Sequence, residues 1–384
     1  MRFEFATSHR ILFGPGSIHD LPANARRLGI GALVVLGKSA ARARDQLAAL
    51  TKVGIRATEF HVPEEPSVEL VAEGLETARR VKCDMVIAMG GGSAMDAAKA
   101  IAALVSSSRD IHDHLEVIGQ GIPLPEVSLP VVVIPTTAGT GSEATRNAVL
   151  TVKQHRVKVS LRGPTLLPRL AIVDPELTRD LPPDVTAASG LDAVTQLIEP
   201  FVSRAANPIT DALCREGLRR AGRSLRRACL QGSDLEARAD MSLAALMSGM
   251  ALANAKLGAV HGLAGPIGGL HPGPHGAICA RLLPSVVRAN LSALRQEAPH
   301  SDALRRFDEL GELLTGREEA GAEDAAAWVG ELGAELGIRP LRDYGLTAAE
   351  FPELIARALG SSSMKGNPVV LTEAQLDSVL QEAL

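Results

Sequence analysis

The stretch DMVIAMGGGSAMDAAKAIA, residues 84–102, joins a short apolar run to three glycines and then to an alanine-rich helical pattern. An apolar run of this length, ended by turn chemistry, reads as a strand buried on both faces, the kind found in a parallel sheet covered by helices. Gly90, Gly91 and Gly92 let the backbone approach a ligand closely and take positive φ. The N–H groups that open the next helix then face that ligand, and the helix dipole favours a phosphate there, with Ser93 as an added donor. Taken alone, the triplet also reads as a turn that merely joins strand to helix. It matches neither the G-x-G-x-x-G fingerprint nor a P-loop.

Working outward, GALVVLG (31–37), LPVVVIPTT (129–137) and LAIVD (170–174) repeat the buried-strand signal. Helical patterns lie between them, as in ARARDQLAALTKV (41–53) and VELVAEGLETARRV (68–81). A second polar turn, PTTAGTGSEAT (135–145), also follows a buried strand and carries the hydroxyls of Thr136, Thr137, Thr140 and Ser142. Two such loops at the carboxyl ends of neighbouring strands form the crevice where open α/β sheets bind nucleotides, which favours a diphosphate-containing cofactor. After PPDVTAASG (182–190) the strand signals stop, and patterns such as EARADMSLAALMSGMALANA (236–255) and DAAAWVGELGAELG (324–337) are helical. The expected organisation is an α/β dinucleotide-binding domain over residues 1–181 and an all-helical domain over residues 182–384, with the ligand site in the cleft between them.

The totals narrow the function classes. The chain has 384 residues, 46% hydrophobic and 22% charged, enough for two domains with ordinary cores. Aromatic residues are only 2%, which argues against base stacking, and a net charge of −4 gives no field for nucleic acid or anionic membrane. The six arginines of CREGLRRAGRSLRRAC (214–229) read as a solvated helix face. Cys83, Cys214, Cys229 and Cys279 are scattered, as reduced thiols are. The start, MRFEFATSHRILFGPGS, has no apolar signal region, and no run approaches the ~18 apolar residues of a membrane span. A cytoplasmic protein is expected.

Two segments carry a metal signal. In GLDAVTQLIEPF (190–201), Asp192 and Gln196 lie four apart on one helix face, with Glu199 three residues further on. In GAVHGLAGPIGGLHPGPHGA (258–277), three histidines fall close together: His261, His271 and His275. A lone histidine in an apolar stretch is usually a satisfied core residue. Together, however, Asp192, His261 and His275 offer one oxygen and two nitrogen ligands and leave room for a substrate oxygen.

These motifs, in this order, resemble the iron-containing (group III) alcohol dehydrogenase family, relatives of glycerol dehydrogenase and dehydroquinate synthase. The resemblance runs from RILFGPGSI through GGGSAMDAAKAIA, PTTAGTGSEAT, LAIVDPEL and GLDAVTQLIEP to AVHGLAGPIGG and NPVVLT, essentially the whole chain. It implies a dehydroquinate synthase-like fold, hydride transfer between NAD(H) or NADP(H) and an alcohol, aldehyde or ketone, and assembly as a homodimer or higher oligomer. It also implies that Gly90, Gly91, Gly92 and Ser93 form the pyrophosphate loop and that Thr136, Thr137 and Ser142 form a second cofactor loop. Asp96 and Lys99 match the pattern on the helix after the glycines, and Lys158 resembles a lysine near the cofactor ribose. The family holds a divalent metal, often iron or zinc, through an aspartate, a histidine four residues on and two later histidines. Asp192, His261 and His275 match the first, third and fourth.

Two departures stand out. Gln196 replaces the second ligand, exchanging an imidazole nitrogen for an amide oxygen, and Gly265 stands where the family commonly has a further histidine. His271 is extra and could stand in for either. With Fe2+ or Zn2+ bound through Asp192, Gln196, His261 and His275, the ion would act as a Lewis acid. Without it, His261, His275, Lys158 or the Gln196 amide would have to stabilise the oxygen. Gly37, Lys38 and Ser39 end the first strand without a carboxylate, so NADP(H) should be tolerated. Two other readings remain open from sequence: a maleylacetate reductase-like keto-acid reductase and a non-catalytic nucleotide-binding protein.

Overall fold

The computed structural model describes residues 2–38, 43–116 and 118–384. The chain forms two compact units: Thr7–Thr137 with Gly141–Thr178, and Arg179–Leu384 with the N-terminal residues through Ala6 and the segment Ala138–Thr140.

The first unit is α/β. Its strands are β1 (Ile11–Phe13), β2 (Gly31–Leu36), β3 (Arg56–His61), β4 (Met85–Gly90), β5 (Val131–Pro135), β6 (Asn147–Val152), β7 (Val157–Arg162) and β8 (Leu170–Val173). Its helices are α1 (Leu21–Ala25), α2 (Arg44–Lys52), α3 (Val68–Val81), α4 (Gly92–Leu104) and α5 (Ile111–His114). Six strands pair in the order β1-β8-β5-β4-β2-β3, with every pairing parallel. β2, β4, β5 and β8 are buried along their whole length. Alternate residues serve opposite faces: Leu33, Val35, Val86 and Val133 enter one core, while Val34, Ile87, Val132 and Ile134 enter the other.

The sequence reading omitted β1, β3 and the antiparallel hairpin β6–β7. β3, with the sequence RATEFH, lies at the sheet edge with no fully buried residue, so it lacks a continuous apolar run. The hairpin strands NAVLTV and VKVSLR carry the weaker signal of residues alternating between core and surface. Register pairs Leu36 with Met89 and Gly90 with Pro135, so β2, β4 and β5 end side by side. β2 and β4 flank the point where strand order reverses, the usual nucleotide position in an open sheet.

The second unit is helical: α6 (Pro183–Val202), α7 (Pro208–Leu230), α8 (Leu235–Ala255), α9 (Ala259–Leu270), α10 (His275–Glu297), α11 (Asp302–Thr315), α12 (Ala322–Glu335), α13 (Phe351–Leu359) and α14 (Glu373–Ala383). α6 packs against α7, α8 and α10 and is buried on all sides from Gly190 onward. Although α10 is long and apolar enough to cross a bilayer, most of it is buried in this unit, as expected of a core helix. The α7 arginines do more than meet solvent. Arg215 pairs with Glu309, Arg223 with Asp240 and Arg226 with Glu335, tying α7 to α11, α8 and α12.

Candidate nucleotide and metal sites

The nucleotide elements lie in the α/β unit. α4 starts at Gly92 with Gly91 as its extended N-cap and no side-chain cap, so its opening N–H groups are left for a ligand. Packing explains the glycines. A Cβ on Gly90 would lie 2.7 Å from Ala94 Cβ and 3.1 Å from Gly37 N, and one on Gly91 would lie 3.3 Å from Thr137 Oγ1. Gly37, Gly90, Gly91 and Thr137 therefore meet at the ends of β2, β4 and β5. Thr136 donates its backbone N–H to Gly90 O at 3.0 Å, joining the two loops. Ser93 is half-buried, Lys38 is exposed, and Ser39 lies outside the described residues.

Asp96 and Ser142 have partners within the protein. Ser142 donates its hydroxyl to Asp96 Oδ1, and Val149 N donates to Asp96 Oδ2 at 2.9 Å. Lys99, fully buried, places Nζ 3.1 Å from Asp96 Oδ1, 3.0 Å from Ser142 O and 3.0 Å from Thr145 Oγ1. An ammonium has three protons, and all three are met. Burial lowers the Lys99 pKa, against the pull of Asp96. Burial also pushes the neighbouring Glu143 up to about 7, although its own backbone and the Lys99 charge oppose the rise. Lys158, on β7, pairs with Glu65 at 2.7 Å. Thr140 groups with the helical unit.

The metal signal converges in the helical unit. A helix as buried as α6 must satisfy each polar side chain it carries. Thr195 donates to Leu191 O at 2.8 Å. Glu199 accepts from Val260 N at 2.7 Å and from the His261 Nδ1 at 2.6 Å. Gln196 donates from Nε2 to Asp192 Oδ2 at 2.9 Å and accepts from Ser248 Oγ at 3.1 Å. One atom is left over. Asp192 Oδ1 is buried without a hydrogen-bond partner among the described residues.

That oxygen faces three other donors. His261 Nε2 is 3.6 Å away, beyond hydrogen-bond reach. Because Glu199 holds Nδ1, it is Nε2 that turns toward Asp192. Cys279 Sγ lies 3.8 Å from His261 Nε2 and 3.6 Å from His275 Nε2. One ligand atom from each of Asp192, His261, His275 and Cys279 falls within 4.8 Å of all the others. α10 approaches α6 this closely because of Gly276, where a Cβ would sit 2.1 Å from Ala188 O and 2.9 Å from Asp192 Cβ.

The electrostatics match the geometry. Burial opposes charge on Asp192, yet the His261 and His275 rings outweigh it and lower its pKa. Burial opposes charge on His261 too, but Cys279, Glu199 and Asp192 raise its pKa well above the ordinary value. The Cys279 charge raises His275, and the two rings in turn lower Cys279 against its burial. The buried acids and the two imidazoles thus favour each other's charged forms, in the position where a divalent cation would serve. An orphaned carboxylate oxygen and a mixed O, N and S donor set fit such an ion.

Of the residues singled out from sequence, Asp192, His261 and His275 come together. Gln196 adjoins them, with both ends of its amide hydrogen-bonded as above. His271 stands apart, its Nε2 2.9 Å from Glu350 Oε1. Two contributors were missed. Cys279 is one of four scattered thiols in the sequence, yet it follows His275 by four residues on one helix face. Glu199 was placed on the right face, but its bond to His261 was not foreseen.

Comparison with known proteins agrees across the chain. Residues 8–175 match the family model described as iron-containing alcohol dehydrogenase, and residues 186–384 match the C-terminal model of the Fe-containing alcohol dehydrogenase family. The chain is 35% identical to the 1,3-propanediol dehydrogenase of Klebsiella pneumoniae, covering 99% of this chain and 98% of that one. It is 37% identical to alcohol dehydrogenase 4 of Schizosaccharomyces pombe, covering 84% and 74%. A crystal structure of 1,3-propanediol oxidoreductase superposes with a TM-score of 0.91 at 34% identity, covering both chains in full. Sulfoacetaldehyde reductase from Bifidobacterium kashiwanohense, solved in complex with NAD+, superposes with a TM-score of 0.87 at 30% identity, covering 100% of this chain and 99% of that one. On these matches, the chain belongs to the iron-containing alcohol dehydrogenase family and is a nicotinamide-dependent alcohol oxidoreductase.

Proposed function

We propose that the chain interconverts small aliphatic alcohols or diols and their aldehydes, with Asp192, His261 and His275 holding a divalent metal at the reacting oxygen. The observation that carries this reading is the buried, unpartnered Asp192 Oδ1 facing two imidazoles. The likeness to 1,3-propanediol dehydrogenase along the whole chain supports a short hydroxylated substrate. Held by Asp192, His261 and His275, the ion would supply Lewis acidity toward the substrate oxygen, and a nicotinamide at the glycine and threonine loops would supply the hydride chemistry.

The chain's own residues do the positioning. Glu199 fixes the His261 ring so that Nε2 faces the site, and Gln196 steadies the Asp192 carboxylate through Oδ2. Gly90, Gly91, Gly92 and Ser93, with Thr136 and Thr137, are the surfaces offered to the cofactor diphosphate. Gly37 and Lys38 close β2 without a carboxylate, which supports use of NADP(H) as well as NAD(H). The family resemblance adds the expectation of a homodimer, open to light scattering.

The test is turnover of NADH and NADPH on a panel of short aldehydes and keto acids, before and after chelation and re-addition of zinc or iron. Activity confined to aldehydes, lost on chelation and restored by metal, is expected. Full activity in metal-free protein would sink the metal assignment, and a preference for keto acids would sink the substrate class.

A further inference from the structure

We propose that Cys279 is the fourth protein ligand, taking the place vacated at position 196, and that the resulting Asp–His–His–Cys set holds zinc in preference to iron. The inference rests on reading the cluster as a metal site and concerns which atoms complete it.

Gln196 is poorly placed to serve. An ionised carboxylate only accepts hydrogen bonds, so the amide end beside Asp192 must be the NH2, which has no lone pair to give. The amide oxygen is engaged with Ser248. To ligate, Gln196 would have to turn over, breaking both bonds and setting its oxygen against Asp192.

Cys279 meets every requirement. It is fully buried, one turn along α10 from His275, and its sulfur has both histidine Nε2 atoms as polar neighbours. A tetrahedral ion with nitrogen or oxygen at about 2.0–2.1 Å and sulfur at about 2.3 Å sets its ligand atoms about 3.3–3.6 Å apart. The observed spacings are 3.6 Å for Asp192 to His261, 3.6 Å for Cys279 to His275 and 3.8 Å for Cys279 to His261. The partnerless Asp192 oxygen points independently to a missing cation at the same spot. As the metal–sulfur bond forms, the thiol proton leaves to solvent and the sulfur binds as thiolate. A soft thiolate in place of a nitrogen shifts selection toward zinc, which already outranks Fe2+ for a given set of ligands.

The test uses the full-length protein stripped of metal and reloaded with cobalt(II) or zinc. Wild type is expected to take up one ion per chain, with a sulfur-to-cobalt charge-transfer band in the near ultraviolet. Zinc-edge X-ray absorption should show one sulfur at about 2.3 Å. Cys279→Ser should lose the band and bind zinc more weakly than the about 10–100-fold loss typical of removing an outer partner. Gln196→Ala should keep both band and stoichiometry. With Fe2+ and Zn2+ offered together without oxygen, zinc should prevail.

Cobalt binding without the band, a zinc shell of nitrogen and oxygen alone, or metal lost in Gln196→Ala but kept in Cys279→Ser would overturn the ligand assignment and leave the metal reading standing. Equal or greater uptake of iron would overturn the preference. Failure of wild type to bind either ion would overturn the metal reading itself. Should Cys279→Ser not fold by circular dichroism, the X-ray absorption of the wild type decides.

Discussion

Two buried polar clusters, one in each unit, invite comparison. In the α/β unit, Lys99, Asp96, Ser142 and Thr145 close on one another, and each proton of the ammonium has an acceptor. In the helical unit, Asp192, His261, His275 and Cys279 face one another across gaps of 3.6 Å and more, and Asp192 Oδ1 has no donor among the described residues. The complete cluster clamps α4 to the segment after β5; the incomplete one is a socket. Burial and charge are alike in both, so what separates structural from chemical polarity is whether the accounting closes within the protein.

The most direct way to break this contrast is to attack the socket. Asp192→Asn is expected to lower kcat by about 10³-fold or more through loss of the Lewis acid, while the melting temperature of metal-free protein hardly moves. A similar loss of stability in the metal-free state would make the cluster structural after all. Lys99→Met should do the reverse: removing one partner of a buried ion pair costs about 3–5 kcal/mol in urea unfolding. A mild effect would mean that the clamp is dispensable.

Glu143 sharpens the comparison through pH. Burial lifts its folded-state pKa to about 7 from the ordinary glutamate value of 4.5, so the native state favours the protonated acid. The associated stability is full below the unfolded value and is lost as pH rises through about 7. Wild type should therefore fall behind Glu143→Gln by on the order of 3 kcal/mol between pH 4 and pH 8 in urea unfolding. Parallel curves for the two proteins would contradict this.

Glu199→Gln should weaken metal binding by about 10–100-fold in chelator competition, because His261 loses its anchor; unchanged affinity would leave Glu199 as a helix cap alone. The smallest effect is expected at Gly265, where a Cβ meets nothing within 4 Å. Gly265→Ala, inside α9, should stabilise by about 0.5–1 kcal/mol, a rise in melting temperature that the crowded Gly276 would not permit.

The fold was legible where burial is total. β2, β4, β5 and β8 are continuous apolar runs ended by glycine, proline or aspartate, so their position and parallel pairing follow from composition. β3 was not legible, because an edge strand carries charge. Nor was the β6–β7 hairpin, whose residues alternate between core and surface. At the site, Asp192, His261 and His275 were legible from residue type and clustering, whereas Cys279 looked like any small apolar residue in a core helix. The spacing rule that drew attention to Asp192 and Gln196 applies equally to His275 and Cys279. Spacing gives a shared face, and only the packing of α10 on α6 through Gly276 reveals which face holds the ligands. Asp96 on α4 and Ser142 on the loop after β5 each carry a local signal, but the hydrogen bond between them joins residues 46 apart in sequence, which no local pattern encodes.

The Glu199 carboxylate has a further consequence. One of its oxygens receives Val260 N, near the start of α9, and the other receives the ring of the next residue, His261. Forming that helix end and aiming that imidazole are therefore one event in folding. The rotational freedom of the ring is surrendered when the chain folds, not when an ion arrives, so capture of the ion begins from a site already partly set and carries a smaller entropic penalty.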